Sequence, residues 1–133
     1  MTEVLIAGIG QTPVGEHWDR PLRSLAVEAM RLALEDAGGL RPGALFAANV
    51  LAANLSRQAH LGAMLADFAG LSGIEAGLYE SGGASGGSAL RQAMLAIASG
   101  MVETAIVVGV EKVTDSIGNG IETARLTTTD SEY

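Results

Sequence analysis

One short stretch of this sequence combines residue types that can hold an anion, and it lies between a strand-like and a helix-like pattern. Residues 79–90 contain four glycines and several small hydroxyl residues, after an apolar run over 74–79 and before a helical pattern over 88–99. Glycine permits backbone dihedrals and close approaches that a Cβ atom would block. Free N–H groups at a helix N-terminus can hold an anion or a developing oxyanion. The stretch therefore predicts the architecture of a nucleophile elbow, although no nucleophile is evident in it.

The backbone of this elbow is the predicted site. We expect it to bind an oxyanion or the substrate through Gly83, Ala84, Ser85 and Gly86. Ser81, Ser85 and Ser88 supply hydroxyl groups nearby, but a serine nucleophile needs a base, and the neighbouring sequence supplies none. No catalytic side chain is therefore predicted in this chain.

The two histidines each have a functional and a structural interpretation. His60 could act as a base, but a histidine on a helix with an apolar stripe is more often packed or half-exposed. His17 lies in a predicted surface loop, where a solvated role is the more common one. We favour the structural interpretation for both.

Composition limits the kinds of partner. The chain has 133 residues, enough for one domain, with 48% hydrophobic and 17% charged residues. Such a low charge content suggests an apolar surface that a partner or further sequence covers, and an Ala/Gly-rich α/β core is the alternative explanation. The net charge of −7, without a basic cluster, argues against nucleic-acid binding.

The sequence also limits where the protein can be located and which cofactors it can bind. The sequence has no cysteine, which excludes disulfides and cysteine-ligated metals, and no metal site is predicted. The acidic N-terminus does not resemble a signal peptide. Since no apolar run approaches the roughly 20 residues needed to span a bilayer, we expect a cytoplasmic protein without a membrane span.

Alternating patterns predict an α/β fold with a mostly parallel sheet. The predicted strands cover residues 4–10, 44–51, 74–80 and 104–110, and the predicted helices cover 22–37, 57–69 and 88–99. The apolar run 4–10 is typical of a strand buried on both faces. Its Gly8-x-Gly10 pair is not a dinucleotide fingerprint, because Pro13 replaces the third glycine and no helix begins there. Residues 52–56 and 116–133 are predicted as loops or tail.

Four ordered motifs resemble the N-terminal part of the thiolase superfamily, in particular the sterol-carrier-protein-type (lipid-transfer) thiolases. Residues 11–15 (QTPVG) look like the family's R-T-P-[FV]-G, and residues 57–62 with 69–71 are similar to its second helix. Residues 83–87 (GASGG) match its C-A-S-G-G elbow, and residues 107–115 (VVGVEKVTD) look like V-V-G-V-E-K-M-[ST]-D.

The resemblance implies a fold, a substrate class and a missing nucleophile. It implies a three-layer α-β-α half-domain over residues 1–115, with residues 116–133 beginning a loop region. The implied substrate or ligand is a coenzyme A thioester, with no covalently bound cofactor. The family's acyl-accepting cysteine falls on Gly83, and its later G-H-P, C-x-G and N-E-A-F motifs have no counterpart here.

Two functions therefore stay open. The chain is expected to be a fragment, a truncated product or one half of a split thiolase-like enzyme, with cysteine-independent chemistry such as retro-aldol cleavage. The alternative is a non-catalytic subunit for assembly or for binding acyl-CoA or lipid. The resemblance also implies a homodimer paired through residues 74–80, or a complex with a longer thiolase-like partner or an OB-fold partner.

Overall fold

The computed structural model describes residues 3–116, 118–130 and 132. In chain order its elements are α1 (Leu22–Asp36), β1 (Ala44–Ala48), α2 (Ala52–Leu55), α3 (Leu61–Phe68), β2 (Glu75–Tyr79), α4 (Ser85–Ala98), β3 (Ala105–Gly109) and α5 (Gly120–Leu126). Within this described part of the chain, no helix has the length and apolar character needed to cross a membrane.

The three strands form one parallel sheet in the order β2-β1-β3. Ala48, the last residue of β1, lies opposite Tyr79 of β2 and Gly109 of β3. Because the strands are parallel and in register, the segments that follow them leave the sheet at the same edge. The predicted α/β class with a parallel sheet is confirmed.

The central strand β1 separates two apolar layers and is buried along its whole length. Leu45 and Ala47 pack in one core cluster with residues of α1 and α3. Ala44, Phe46 and Ala48 pack in the other, against the alanines of α4. This alternation follows from the two-residue period of a strand and gives the expected three-layer α-β-α arrangement.

The predicted strand over residues 4–10 is the main correction to the sequence-based fold. The structure assigns no strand there, and Leu5, Ile6 and Ile9 are 75–76% exposed rather than buried. The segment lies against α1, where a Cβ atom on Gly8 would come within 2.5 Å of the Ala33 carbonyl oxygen. An apolar run becomes a strand only where a second strand offers hydrogen bonds, and none does so here among the described residues.

Four helix predictions also change. Helix α4 begins at Ser85 rather than at residue 88, so that Ser85 and Gly86 of the predicted elbow are helical. Residues 52–56 were expected to form a loop, but α2 begins at Ala52, whose N–H donates to the Asn49 side chain at 2.8 Å. Helix α3 begins at Leu61 rather than at residue 57, because Arg57 and His60 adopt positive φ values of 51° and 53°. The aperiodic segment 116–133 contains α5, which packs against α2. The division of the chain at residue 115 stays a prediction.

Candidate functional site

The elbow lies where β2 ends and α4 begins, at the carboxyl edge of the sheet. Residues 80–84 connect Tyr79 to Ser85, and Gly82 turns the chain with a φ of +54°. Glycine is favoured at a positive φ because this residue has no Cβ atom. Ligands of open α/β sheets commonly bind outside the carboxyl ends of the strands. The predicted elbow is therefore in a position to meet a ligand.

Two of the predicted site residues hold the turn together. The Ala84 N–H donates to the Ser81 carbonyl oxygen at 3.0 Å, and the Ser85 N–H donates to the Gly82 carbonyl oxygen at 3.2 Å. The Ser85 hydroxyl, on a residue only 5% exposed, accepts from the Ser81 N–H at 2.9 Å and donates to the Gly82 carbonyl at 2.7 Å. The turn thus engages the N–H groups of Ala84 and Ser85, and the role of these two residues in binding an oxyanion or the substrate stays a prediction.

The other two predicted residues present free backbone donors. Gly83 and Gly86 are exposed, and within the described residues no hydrogen bond engages their N–H groups. Gly86 lies in the first turn of α4, where the N–H groups have no intrahelical partner. A Cβ atom built on Gly83 would meet nothing within 4 Å. The elbow is open at this point and can hold an anionic oxygen near the positive end of α4.

The hydroxyl groups of the elbow do not form an activated nucleophile. Ser88 Oγ donates to Ser81 Oγ at 2.9 Å, and Ser81 Oγ donates to the Glu80 carbonyl oxygen at 2.8 Å. The chain of donors thus ends on a backbone carbonyl and not on a base. The Glu80 carboxylate accepts from the Gly82 N–H at 2.5 Å, so it also puts a negative charge beside the elbow.

The histidines do not join the elbow. His17 Nε2 lies 2.7 Å from the Pro13 carbonyl oxygen in the loop before α1. His60 is exposed at the residue that precedes α3, and so does not lie on that helix as predicted. Neither has a hydrogen bond to the elbow among the described contacts, in keeping with a structural rather than a catalytic interpretation.

A polar cluster that the sequence reasoning missed closes the carboxyl edge beside the elbow. Buried Asn49 follows β1, and its Nδ2 donates to Glu111 Oε1 at 2.9 Å and to the Val110 carbonyl at 2.6 Å. Glu111 Oε2 accepts from the N–H groups of Val50 and Leu51 at 3.0 and 3.1 Å. A positional signal was available for Glu111 alone, which directly follows the predicted strand 104–110, whereas Asn49 lies inside the predicted strand 44–51.

Comparison with known proteins identifies the family. The family described as "Thiolase, N-terminal domain" matches residues 4–131. This chain belongs to the thiolase family. Among curated proteins, it is 40% identical over 119 residues to the acetyl-CoA acetyltransferase of Methanothermobacter thermautotrophicus, covering 88% of this chain and 31% of that protein. It is 43% identical over 119 residues to the acetyl-CoA acetyltransferase of Methanocaldococcus jannaschii, covering 88% of this chain and 30% of that protein.

This thiolase N-terminal domain spans about a third of the length of the curated relatives it matches. The range matched by the family runs from residue 4 to residue 131, so it includes the exposed segment 4–10, the elbow and α5. The resemblance to the thiolase superfamily is confirmed. The elbow, the free N–H groups and the Asn49–Glu111 cluster are features of this chain's own structure.

Proposed function

We propose that this chain is part of a thiolase-like enzyme that acts on acyl-CoA thioesters. Its membership in the thiolase family supports the proposal, together with similarity to two proteins named acetyl-CoA acetyltransferase. The observation that carries the proposal is the pair of free N–H groups at Gly83 and Gly86, at the start of α4. Such donors stabilise the negative oxygen that develops when a thioester reacts.

Within this proposal, Gly83 occupies the position of the family's acyl-accepting cysteine. The chain contains no cysteine, so it cannot supply a thiolate to form an acyl-enzyme. The proposed reaction is therefore one that needs no covalent intermediate, as in cysteine-lacking relatives of the sterol-carrier-protein-type thiolases. Ordinary thiolysis would need a nucleophile from outside these 133 residues.

Retro-aldol cleavage of a β-hydroxyacyl-CoA fits these residues. A base removes the proton of the β-hydroxyl group, the bond between the α and β carbons breaks, and a carbonyl compound leaves. The electron pair of the broken bond moves to the thioester oxygen as an enolate, which then takes a proton at carbon to give a shorter acyl-CoA. The Gly83 and Gly86 N–H groups would hold the enolate oxygen, and the base would come from residues outside this sequence.

A non-catalytic subunit is the second candidate, and the Glu80 carboxylate favours it. This group accepts the Gly82 N–H inside the elbow and brings a negative charge close to the proposed oxyanion position. A negative charge there disfavours an enolate. In that case the chain would contribute to the assembly of a complex, or would bind acyl-CoA or lipid without catalysing a reaction.

Association through β2 is part of the proposal. Strand β2 pairs with β1 on one side, and no described strand pairs with its other edge. Its Leu78 is 39% exposed. An unpaired edge strand invites pairing with another chain, so we expect a homodimer or a complex with a longer thiolase-like or OB-fold partner.

Amide chemical shifts in a titration with acetyl-CoA test the proposed site. We expect the Gly83 and Gly86 amide signals to shift, while those of Ala84 and Ser85 move less because their N–H groups are engaged in the turn. Coenzyme A without an acyl group is the control, since it lacks the thioester oxygen and should leave Gly83 and Gly86 nearly unchanged. Equal effects of both ligands at these amides would contradict the oxyanion role and favour the non-catalytic subunit.

A further inference from the structure

The hydroxyl groups of Ser81 and Ser88 form a chain of hydrogen bonds at the elbow, and the direction of this chain is fixed. Ser88 Oγ lies 2.9 Å from Ser81 Oγ, and Ser81 Oγ lies 2.8 Å from the Glu80 carbonyl oxygen. A carbonyl oxygen can only accept a hydrogen bond, so Ser81 donates to it. Because a hydroxyl group has a single hydrogen, Ser88 must in turn donate to Ser81. Both hydroxyl hydrogens are therefore used within the protein.

The chain leaves these two oxygens with acceptor capacity only. A serine oxygen has two lone pairs. Among the described contacts, Ser81 Oγ accepts one hydrogen bond and Ser88 Oγ accepts none. Ser81 is exposed and Ser88 is half-buried, so a ligand can reach both. A hydroxyl that turned its hydrogen toward the ligand would break a bond of the chain, and the ligand therefore meets acceptors.

The Glu80 side chain adds a third acceptor beside the two serines. Its Oε1 accepts from the Gly82 N–H at 2.5 Å. A carboxylate has no hydrogen to donate, so its remaining lone pairs can only accept. We call Ser81 Oγ, Ser88 Oγ and the Glu80 carboxylate the acceptor cluster.

The acceptor cluster and the free donors of the elbow belong to one short segment. Gly83 and Gly86, whose N–H groups no described hydrogen bond engages, lie in sequence between Ser81 and Ser88. The bond between the two serine hydroxyls joins residues seven positions apart and closes the segment into a loop. The elbow thus offers donors from its backbone and acceptors from the side chains at its two ends.

A ligand that satisfies both sets needs an acceptor and a donor close together. A thioester carbonyl oxygen is an acceptor, and a hydroxyl group on the β carbon is a donor two carbons away. A β-ketoacyl thioester has a second acceptor in place of that donor, so its keto oxygen would face lone pairs. A saturated acyl chain has neither group. A site that hydrogen-bonds one polar group discriminates against analogues that lack it.

We infer that Ser88, held in orientation by Ser81, selects β-hydroxyacyl-CoA over β-ketoacyl-CoA thioesters. The inference rests on the proposed function, because it assumes that the thioester oxygen lies at the Gly83 and Gly86 N–H groups. The bond from the β-hydroxyl group to Ser88 Oγ must break before a base outside this sequence removes the same hydrogen. Ser88 is therefore a specificity-determining residue and not the base, and its effect is on binding.

Dissociation constants from NMR titrations of this chain test the inference. The probes are β-hydroxybutyryl-CoA, acetoacetyl-CoA and butyryl-CoA, which share coenzyme A and the length of the acyl chain. Ratios of their dissociation constants therefore isolate the substituent on the β carbon. We expect β-hydroxybutyryl-CoA to bind about 3- to 10-fold more tightly than acetoacetyl-CoA, as one hydrogen bond exposed to water allows. Butyryl-CoA should lie between the two.

Substitutions of Ser88 make the test specific. Ser88→Ala removes the acceptor and should remove most of the preference for the β-hydroxy thioester. Ser88→Thr keeps a hydroxyl group and should retain the preference. Ser99→Ala is the matched control, because Ser99 lies at the other end of α4 and its hydroxyl donates to the Ala96 carbonyl oxygen at 3.0 Å. This control should bind all three thioesters as the unmodified chain does.

Ser81→Ala separates the proposed role from a structural one. Without the Ser81 oxygen, the Ser88 hydroxyl has a free hydrogen and can donate it to a keto oxygen. We expect acetoacetyl-CoA to bind more tightly to this variant, while the affinity for β-hydroxybutyryl-CoA changes little. If the serines only stabilised the elbow, the variant would weaken binding of all three thioesters alike. The variant also tests the inference independently if Ser88→Ala fails to fold.

Each result supports or contradicts the role of Ser88. Equal affinities for the β-hydroxy and β-keto thioesters, or a preference that Ser88→Ala leaves unchanged, would overturn the inference. The proposed function would stand in either case if the Gly83 and Gly86 amide signals still shift. A preference that depends on Ser88, without any shift of those amides, would support the role of Ser88 and contradict the oxyanion role of the two glycines. No binding of any of the three thioesters would overturn both.

Discussion

Asn49 and Glu111 are 62 residues apart in sequence, and a hydrogen bond of 2.9 Å joins their side chains at the carboxyl edge of the sheet. One oxygen of the Glu111 carboxylate accepts this bond, and the other accepts the N–H groups of Val50 and Leu51. The carboxylate thus binds the segment after β1 to the segment after β3. Because Ala48, Tyr79 and Gly109 are aligned, the same edge carries the elbow.

Glu111→Ala should lower the free energy of unfolding by about 1–2 kcal/mol. Removing the carboxylate leaves the Asn49 amide and two backbone N–H groups without their acceptor, and bonds to charged groups contribute more than neutral ones. The exposure of Glu111 limits the effect because water can replace some of these bonds. Urea denaturation measures the change, with Glu3→Ala as the control at an exposed glutamate. Equal stabilities of the two variants would show that the cluster does not stabilise the fold.

Gly62→Ala should destabilise the chain by about 1–3 kcal/mol. A Cβ atom on Gly62 would lie 2.5 Å from the Gly77 carbonyl oxygen, so α3 would have to move away from β2. Gly87→Ala is the matched control, since Gly87 is helical and a Cβ atom there meets nothing within 4 Å. This control should be neutral or stabilising by up to about 1 kcal/mol, because alanine restricts the unfolded chain. Thermal unfolding measures the stability of both variants. Equal melting temperatures of Gly62→Ala and Gly87→Ala would contradict the close contact between α3 and β2.

Elements with strong local signals were predictable from the sequence, and those that depend on distant residues were not. Helix α1 was placed correctly because its apolar spacing is regular and Gly38, with a φ of +73°, ends it. Residues 4–10 look like a strand in composition, yet strand formation depends on a partner that no local pattern reveals. Helix α5 was missed because its stability comes from packing on α2, including a bond of 3.0 Å from Asn54 Nδ2 to Thr127 Oγ1.

The candidate site was predictable in its place but not in its details. Glycine spacing located the elbow between β2 and α4, where the structure has it. Glycine spacing could not show that the buried Ser85 hydroxyl stabilises the turn through hydrogen bonds to Ser81 and Gly82. Nor could it show that the Ala84 and Ser85 N–H groups form hydrogen bonds within the turn. Those facts depend on the path of the backbone around Gly82. Asn49 and Glu111 were missed because their pairing becomes visible only when β1 and β3 are neighbours.

The purified chain should show no thiolysis of acetoacetyl-CoA. It contains no cysteine, and the Ser81 hydroxyl donates to a backbone carbonyl rather than to a base. A spectrophotometric assay of thioester loss in the presence of coenzyme A checks this expectation. Turnover on the order of 1 per second or more, within the ordinary range for enzymes, would mean that a nucleophile has been overlooked. The acetyltransferase from Methanocaldococcus jannaschii, as a full-length relative, is the positive control.

Gly86→Pro should abolish the shift of the Gly83 amide that acetyl-CoA is expected to cause. Proline removes the Gly86 N–H group, and the first turn of a helix tolerates this loss because the N–H has no intrahelical partner. Gly86→Ala is the control, since it keeps the N–H group and its Cβ atom meets nothing within 4 Å. If both variants respond to acetyl-CoA as the unmodified chain does, Gly86 is not part of an oxyanion site.

Gly83→Cys should create one unusually reactive thiol in a chain that otherwise has none. The position is exposed, and a Cβ atom there meets no other atom within 4 Å, so the substitution fits without a change in the turn. The N-terminus of α4 should lower the pKa of the new thiol below the usual cysteine value of about 8.5. The rate of alkylation by iodoacetamide, measured against pH, gives that pKa directly.

The Glu80 carboxylate provides an internal check on the sign of this shift. A negative charge beside the elbow disfavours the thiolate, so Glu80→Gln in the Gly83→Cys chain should lower the pKa of the thiol further. Gly15→Cys is the reference, because Gly15 is exposed in a loop and a Cβ atom there also meets nothing within 4 Å. A thiol at residue 83 that titrates like the one at residue 15, with or without Glu80, would show that the glycine-rich segment is an ordinary turn. A pKa at residue 83 below that at residue 15 would instead show that the start of α4 favours an anion, as the retro-aldol proposal requires. A further fall in this pKa when Glu80 is replaced by glutamine would show that the Glu80 carboxylate disfavours an anion there.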